Sequence, residues 1–162
     1  MSLKSIDDLF LHGVKDLFYA EKKLVQTLPK MAKKATSAEL KQAIEQHLGE
    51  TQDQVERLER IFKLLDETPR GKKCPAMDGL IAEGKEVMEE AEDDDVLDAG
   101  MLAAAQAVEH YEIARYGTLI AWGEVLGMSE AVQLLKESLK EEKNADKLLS
   151  SLAEGNLNRK AA

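Results

Sequence analysis

Leu102-Ala103-Ala104-Ala105-Gln106-Ala107-Val108-Glu109-His110-Tyr111-Glu112-Ile113-Ala114-Arg115-Tyr116-Gly117-Thr118-Leu119 is the stretch on which the reading of the chain turns. Leu102, Ala105, Tyr116 and Leu119 recur at helical spacing, and Glu109 and Glu112 fall on the same stripe. A core-facing helix that buries two carboxylates needs compensation for them, because an uncompensated buried charge costs several kcal/mol.

The anomaly recurs in three other segments. Glu21 lies among Leu17, Leu24 and Leu28; Glu50 among Ala43, His47 and Leu58; Glu142 and Asp146 among Leu135, Leu139 and Leu149. Acidic side chains that converge on one apolar core from four helices are most simply neutralised by bound cations.

Composition agrees with an all-α chain: three prolines, 4% aromatic residues, and abundant Ala, Leu, Glu and Lys. At 162 residues the chain fits one domain. With 31 acidic against 22 basic residues the net charge is −9, which argues against a nucleic-acid surface. Cys74 is the single cysteine, so no internal disulfide forms, and no stretch reads as a signal peptide or a membrane span. The expected compartment is the cytoplasm.

Helix signals punctuate the chain. Ser5 and Asp8 cap a first helix to about Lys34, with a kink expected at Pro29; Thr36 and Glu39 read as the capping box of a second, to about Leu65. A breaker-rich loop, Asp66 to Pro75, leads to a shorter helix from about Ala76 to Glu90. The run Glu92-Asp93-Asp94-Asp95 starts a third long helix to about Leu126, Gly127 ends it, and Ser129 caps a fourth reaching about Ala153. Short links pair the first two long helices and the last two, and a long segment separates the pairs. The expected architecture is an antiparallel four-helix bundle with one long crossover containing a short extra helix, the ferritin-like arrangement, over residues 1–155; residues 156–162 read as a loosely held tail.

Two divalent ions about 3.5–4 Å apart need carboxylates to hold them together. Glu21 and Glu112, or Glu109, read as single donors, and Glu50 and Glu142 as paired donors with Gln54 and Asp146 one turn on. Adding 92 to Glu50 gives Glu142, and adding 92 to Gln54 gives Asp146, the echo expected if each helix pair supplies half of a two-metal site. Gln54 is the weaker candidate, and His47 reads first as a core histidine, with ligation as its alternative. Oxygen-rich ligation suits two iron or manganese ions, iron being favoured, and no motif signals an organic cofactor. Cys74 reads as a small buried apolar group, Asp16 as a surface partner of lysine, and Tyr19 and Tyr111 as packing residues.

Tyr19-Ala20-Glu21-Lys22, His47-Leu48-Gly49-Glu50-Thr51, Cys74-Pro75-Ala76-Met77-Asp78-Gly79-Leu80, Glu109-His110-Tyr111-Glu112-Ile113-Ala114 with Tyr116-Gly117-Thr118-Leu119, and Leu139-Lys140-Glu141-Glu142-Lys143 carry a resemblance. In these segments the chain resembles the bacterial YciE/YciF family of ferritin-like stress proteins, related to rubrerythrins and manganese catalases. The resemblance implies a ferritin-like bundle, a dimer and a link to stress responses. Neither Glu50 nor Glu142 is followed by His at i+3, those places being Asp53 and Ala145, so any site departs from the usual di-iron ligand set.

Apolar residues such as Leu9, Phe10, Val14, Leu17 and Phe18 offer more surface than one such core uses, the ground for expecting a homodimer. The expected function is a dinuclear metal protein oxidising Fe(II) or reducing peroxide, with oxygen or peroxide as the small oxidant. The alternative is a metal-poor structural or partner-binding bundle.

Overall fold

The computed structural model describes residues 3–162, which contain helices and no strand. Helix α1 (Ile6–Lys34) starts at the expected capping box, the Asp8 N–H donating to Ser5 Oγ at 3.2 Å and the Ser5 N–H to Asp8 Oδ2 at 3.1 Å, and it continues through Pro29. Helix α2 (Ala38–Leu64) is capped one residue later than expected. Ser37 Oγ accepts from the Leu40 N–H at 3.3 Å, because Thr36 is engaged elsewhere.

Helix α3 (Pro75–Glu90) follows the loop, and α4 (Asp94–Val125) begins where Asp93 accepts from the N–H groups of Asp95 and Val96. Gly127, at φ 69°, reverses the chain, a left-handed geometry that favours glycine. The turn is so tight that Ser129 falls inside α5 (Ser129–Leu152) instead of capping it; the cap position is Met128, which makes no side-chain bond. A π-helical turn (Ala153–Leu157) and α6 (Asn158–Lys160) continue α5. Leu157 is 5% exposed, so residues 156–162, expected to be loosely held, carry one buried apolar anchor.

Helix α1 packs on α2 and α4 on α5, α2 also meets α5 and α1 meets α4, while α3 lies on α4. Two apolar clusters form the core. On α1 and α5 the chain passes from the cluster of Phe10, Phe62 and Leu135 to that of Leu24, Met101 and Leu149; on α2 and α4 it passes the other way. Since α2 and α4 run in the same direction, the chain between them must return along their length, and the segment containing α3 makes that return. Among the described residues no helix is long and apolar enough to cross a membrane.

Asp98 of α4 is what draws Thr36 away from its expected capping role. This carboxylate is 1% exposed and accepts from the Thr36 N–H at 2.9 Å, Thr36 Oγ1 at 2.7 Å and the Ser37 N–H at 2.6 Å. Asp98→Ala leaves those donors unpartnered and is expected to destabilise the protein by about 2–4 kcal/mol in urea denaturation at neutral pH, whereas a loss below about 1 kcal/mol would deny the contact its structural weight.

Candidate metal centre

Each of the four long helices interrupts its apolar stripe at the same level. Glu21 stands between Leu17 and Leu24 on α1, and His47, Thr51 and Gln54 between Ile44 and Leu58 on α2. On α4 Glu109 and Glu112 stand between Val108 and Tyr116, and on α5 Glu142 stands between Leu135 and Leu149. The flanking residues belong to the two apolar clusters, so a polar layer divides the core.

His47, Glu109, Glu112 and Glu142 each place one donor atom within 4.8 Å of all the others, and all four are buried. His47 Nε2 lies 3.2 Å from Glu109 Oε1 and 3.9 Å from Glu142 Oε2. Glu21, also fully buried, enters from α1, and the Tyr116 hydroxyl donates to its Oε1.

Burial and mutual repulsion dominate the electrostatics. Burial first, then the charges of Glu142, Glu21 and Glu109, push the Glu112 carboxyl well above the usual range. Burial, followed by the charge of Glu142, does the same for Glu21, against the opposing pull of the Tyr116 hydrogen bond. Burial followed by Glu142 raises Glu109, and burial followed by Glu21 raises Tyr116.

Among the described residues, every buried side-chain N or O atom without a hydrogen-bond partner belongs to this layer. They are Glu21 Oε2, both ring nitrogens of His47, Gln54 Oε1, Glu109 Oε2, and both carboxylate oxygens of Glu112 and of Glu142. Buried polar atoms are ordinarily hydrogen-bonded, so nine orphans in one layer set it apart from the rest of the core as a place a cation would fit. Carboxylate oxygens with one imidazole match iron or manganese better than a thiolate-seeking metal.

Four of the six carboxylates picked out by stripe position are deeply buried: Glu21, Glu109, Glu112 and Glu142. Glu50 and Asp146 have side chains 23% exposed and stand outside the four-residue group. The buried stripe of α2 runs Leu40, Ile44, His47, Thr51, Gln54, Leu58, Ile61, and Glu50 lies one position off it, turned about 100° from Thr51. Glu50 instead accepts from Gln46 Nε2 at 3.1 Å and places Oε2 3.7 Å from His47 Nδ1; the His47 ring beside it, then Gln46, hold its carboxyl below the usual range despite partial burial. Asp146 accepts from Gln106 at 3.2 Å and lies 3.1 Å from the exposed His110.

His47, expected first as a packed core histidine, is a member of the group. The alternation of buried residues four and three apart on α2 is the signal that identifies it. Gln54 is fully buried, its Nε2 donating to Glu141 at 3.1 Å, and Arg57 grips the same Glu141 carboxylate with two 2.7 Å bonds. With its amide nitrogen so committed, Gln54 leaves its carbonyl oxygen unpartnered in the layer.

A separate hydrogen-bonded group corrects the expectation for Asp16 and adds polar contacts to Cys74, Tyr19 and Tyr111, which pack in or against an apolar cluster as expected. Asp16 is 8% exposed and, instead of a surface lysine, takes the Tyr111 hydroxyl at 2.6 Å and the Cys74 thiol at 3.4 Å. Cys74 caps α3, accepting from the Met77 N–H at 3.4 Å, and Tyr19 donates to Asp78 at 2.9 Å. The polar ends of these side chains tie the connection to α1 and α4, a role that apolar packing alone does not describe.

The chain is 46% identical to protein YciF of Escherichia coli K12 over 162 residues, covering 99% of this chain and 98% of that protein. It matches the crystal structure of the E. coli stress protein YciF with a TM-score of 0.91 at 45% identity, over 96% of this chain and 99% of that one. The match to YcfI of Rhodopseudomonas palustris has a TM-score of 0.91 at 51% identity, over 93% of this chain and 96% of that one. A Xanthomonas campestris protein at 23% identity and a TM-score of 0.72 shares the fold alone, over 98% of this chain and 100% of that one. The family described as a domain of unknown function, DUF892, matches residues 5–162, and the chain accordingly belongs to this family, that of the YciE/YciF proteins.

Proposed function

We propose that the described residues 3–155 form a ferritin-like four-helix bundle, with α3 in its one long crossover, that holds two iron or manganese ions, iron being favoured, and serves a bacterial stress response; residues 1 and 2 of the expected domain lie outside the described residues. The nine orphaned atoms of the polar layer carry this reading, because bound cations would satisfy the carboxylate, imidazole and amide donors together. The stress role is supported by the likeness to the E. coli stress protein YciF. Glu21, His47, Glu109, Glu112 and Glu142 would hold the ions, with Gln54 Oε1 as a neutral donor. A bound ferrous pair would supply two electrons, one from each Fe(II) as it becomes Fe(III), which is what reducing one hydrogen peroxide to water requires.

The chain's own groups prepare that site. Glu50 stands behind His47 Nδ1, where a carboxylate fixes the ring so that Nε2 faces inward. Tyr116 keeps a proton against Glu21. The apolar clusters above and below exclude water. A metal-poor structural bundle is the second reading, favoured by Asp53 and Ala145 where the usual ligand set has histidines, and a structural role is suggested for the R. palustris relative.

Metal-free protein titrated with Fe(II) or Mn(II) should take up two ions per chain, and at about 100 times Kd each bound ion should add about 2.7 kcal/mol, raising Tm by roughly 5–10 °C. An unchanged Tm and no uptake by elemental analysis would favour the structural reading.

Without metal, stability should fall as pH rises. Glu21, Glu109 and Glu112 have folded-state values above their ordinary ones, so between the two the folded chain binds more protons than the unfolded chain. Each such proton steepens the loss by about 1.4 kcal/mol per pH unit. The Tm of the metal-free protein is therefore expected to drop from about pH 5 to pH 8, and Glu112→Gln should flatten the slope; a slope of the opposite sign would show that the layer is not charged in the way described.

Glu50→Ala and His47→Ala should separate the two roles on α2. Removing Glu50 should weaken metal affinity by about 10–100-fold while leaving stoichiometry unchanged, whereas removing His47 should lower the number of ions bound. Equal effects on stoichiometry in calorimetric titration would place Glu50 among the ligands.

A further inference from the structure

Ala145 stands three residues after Glu142, where a Glu-x-x-His pair would carry its imidazole, and its side chain ends at the methyl group. Beside it lies a cavity of about 20 Å³, and apart from His47 and Glu109 every residue lining it is apolar. Leu148, 38% exposed, and the half-buried Ala145 form its outer rim, while Leu28 and Ala105 line its floor. His47 and Glu109 close the inner end, and both ring nitrogens of the one and Oε2 of the other lack a hydrogen-bond partner.

We infer that this cavity is the port through which hydrogen peroxide reaches the layer; the inference rests on the metal reading above. About 10–15 Å³ suffices for one water-sized molecule, so the cavity accepts one small solute and rejects a branched one. The apolar rim excludes ions, which would lose their hydration there, and the carboxylates within repel anions. Hydrogen peroxide is small, unbranched and uncharged, and so meets each of these limits.

Two variants and two probes test the port. Crystals of the metal-free protein pressurised with xenon should show the atom between Ala105 and Ala145, and Ala145→Leu should expel it. In iron-loaded protein, stopped-flow reaction with hydrogen peroxide should slow by about tenfold in Ala145→Leu, a cost of about 1.4 kcal/mol at the neck, with iron content unchanged. Leu148→Ala widens the rim and should accelerate tert-butyl hydroperoxide severalfold. Xenon absent from the wild type, or rates that neither variant moves at equal iron content, would overturn the port. A wild type that seats xenon but takes up no iron would overturn the metal reading and, with it, the peroxide assignment.

Discussion

Everything about this chain's core follows from the cost of removing carboxylates from water. Four helices bring apolar stripes together, and at one level each stripe gives way to acidic or amide groups that burial has stripped of solvent. Hydrophobic association favours closing the core, while desolvation and like-charge repulsion favour opening it. Tyr116 and Arg57 ease part of the conflict: one donates to Glu21, and the other neutralises Glu141 just outside the layer. The remainder is concentrated on Glu109, Glu112 and Glu142, which converge with His47 from three helices.

The fold was legible because its signals are local. Ser5 with Asp8, the acidic run at Asp93 and Gly127 each act through their own backbone neighbours, and the structure places helix ends within one or two residues of where those signals put them. Thr36 and Ser129 were misread for opposite reasons. Asp98, 62 residues away in sequence, takes Thr36 out of its local role, and a tight left-handed turn carries Ser129 into the helix before it can cap. Periodicity within a single window contains neither event.

The candidate site was legible to the same degree. Stripe position identified Glu21, Glu109, Glu112 and Glu142 because burial along a helix follows the apolar residues around them. On α2 the alternation Leu40, Ile44, His47, Thr51, Gln54, Leu58 favours His47 over Glu50, and the approach of His47 to Glu109 and Glu142 is the tertiary fact that completes the choice. Asp146 shows the same limit, since its carboxylate finds Gln106 on a facing helix. The hydrogen bonds of Asp16 and Cys74 have no sequence signal, because they arise only where Tyr111 brings the two side chains together.

The anchoring of Thr36 and Ser37 by Asp98 also fixes alignment. That carboxylate joins the turn between α1 and α2 to the beginning of α4, and so sets how far one helix pair is slid along the other. One donor atom from each of His47, Glu109, Glu112 and Glu142 fits within a 4.8 Å span, less than the roughly 5.4 Å advance of one helical turn. A slip of one turn would therefore take Glu109, Glu112 and Glu142 out of register with His47 and Glu21. A hydrogen-bonded aspartate at the end of the molecule thus acts as a depth stop for chemistry near its middle.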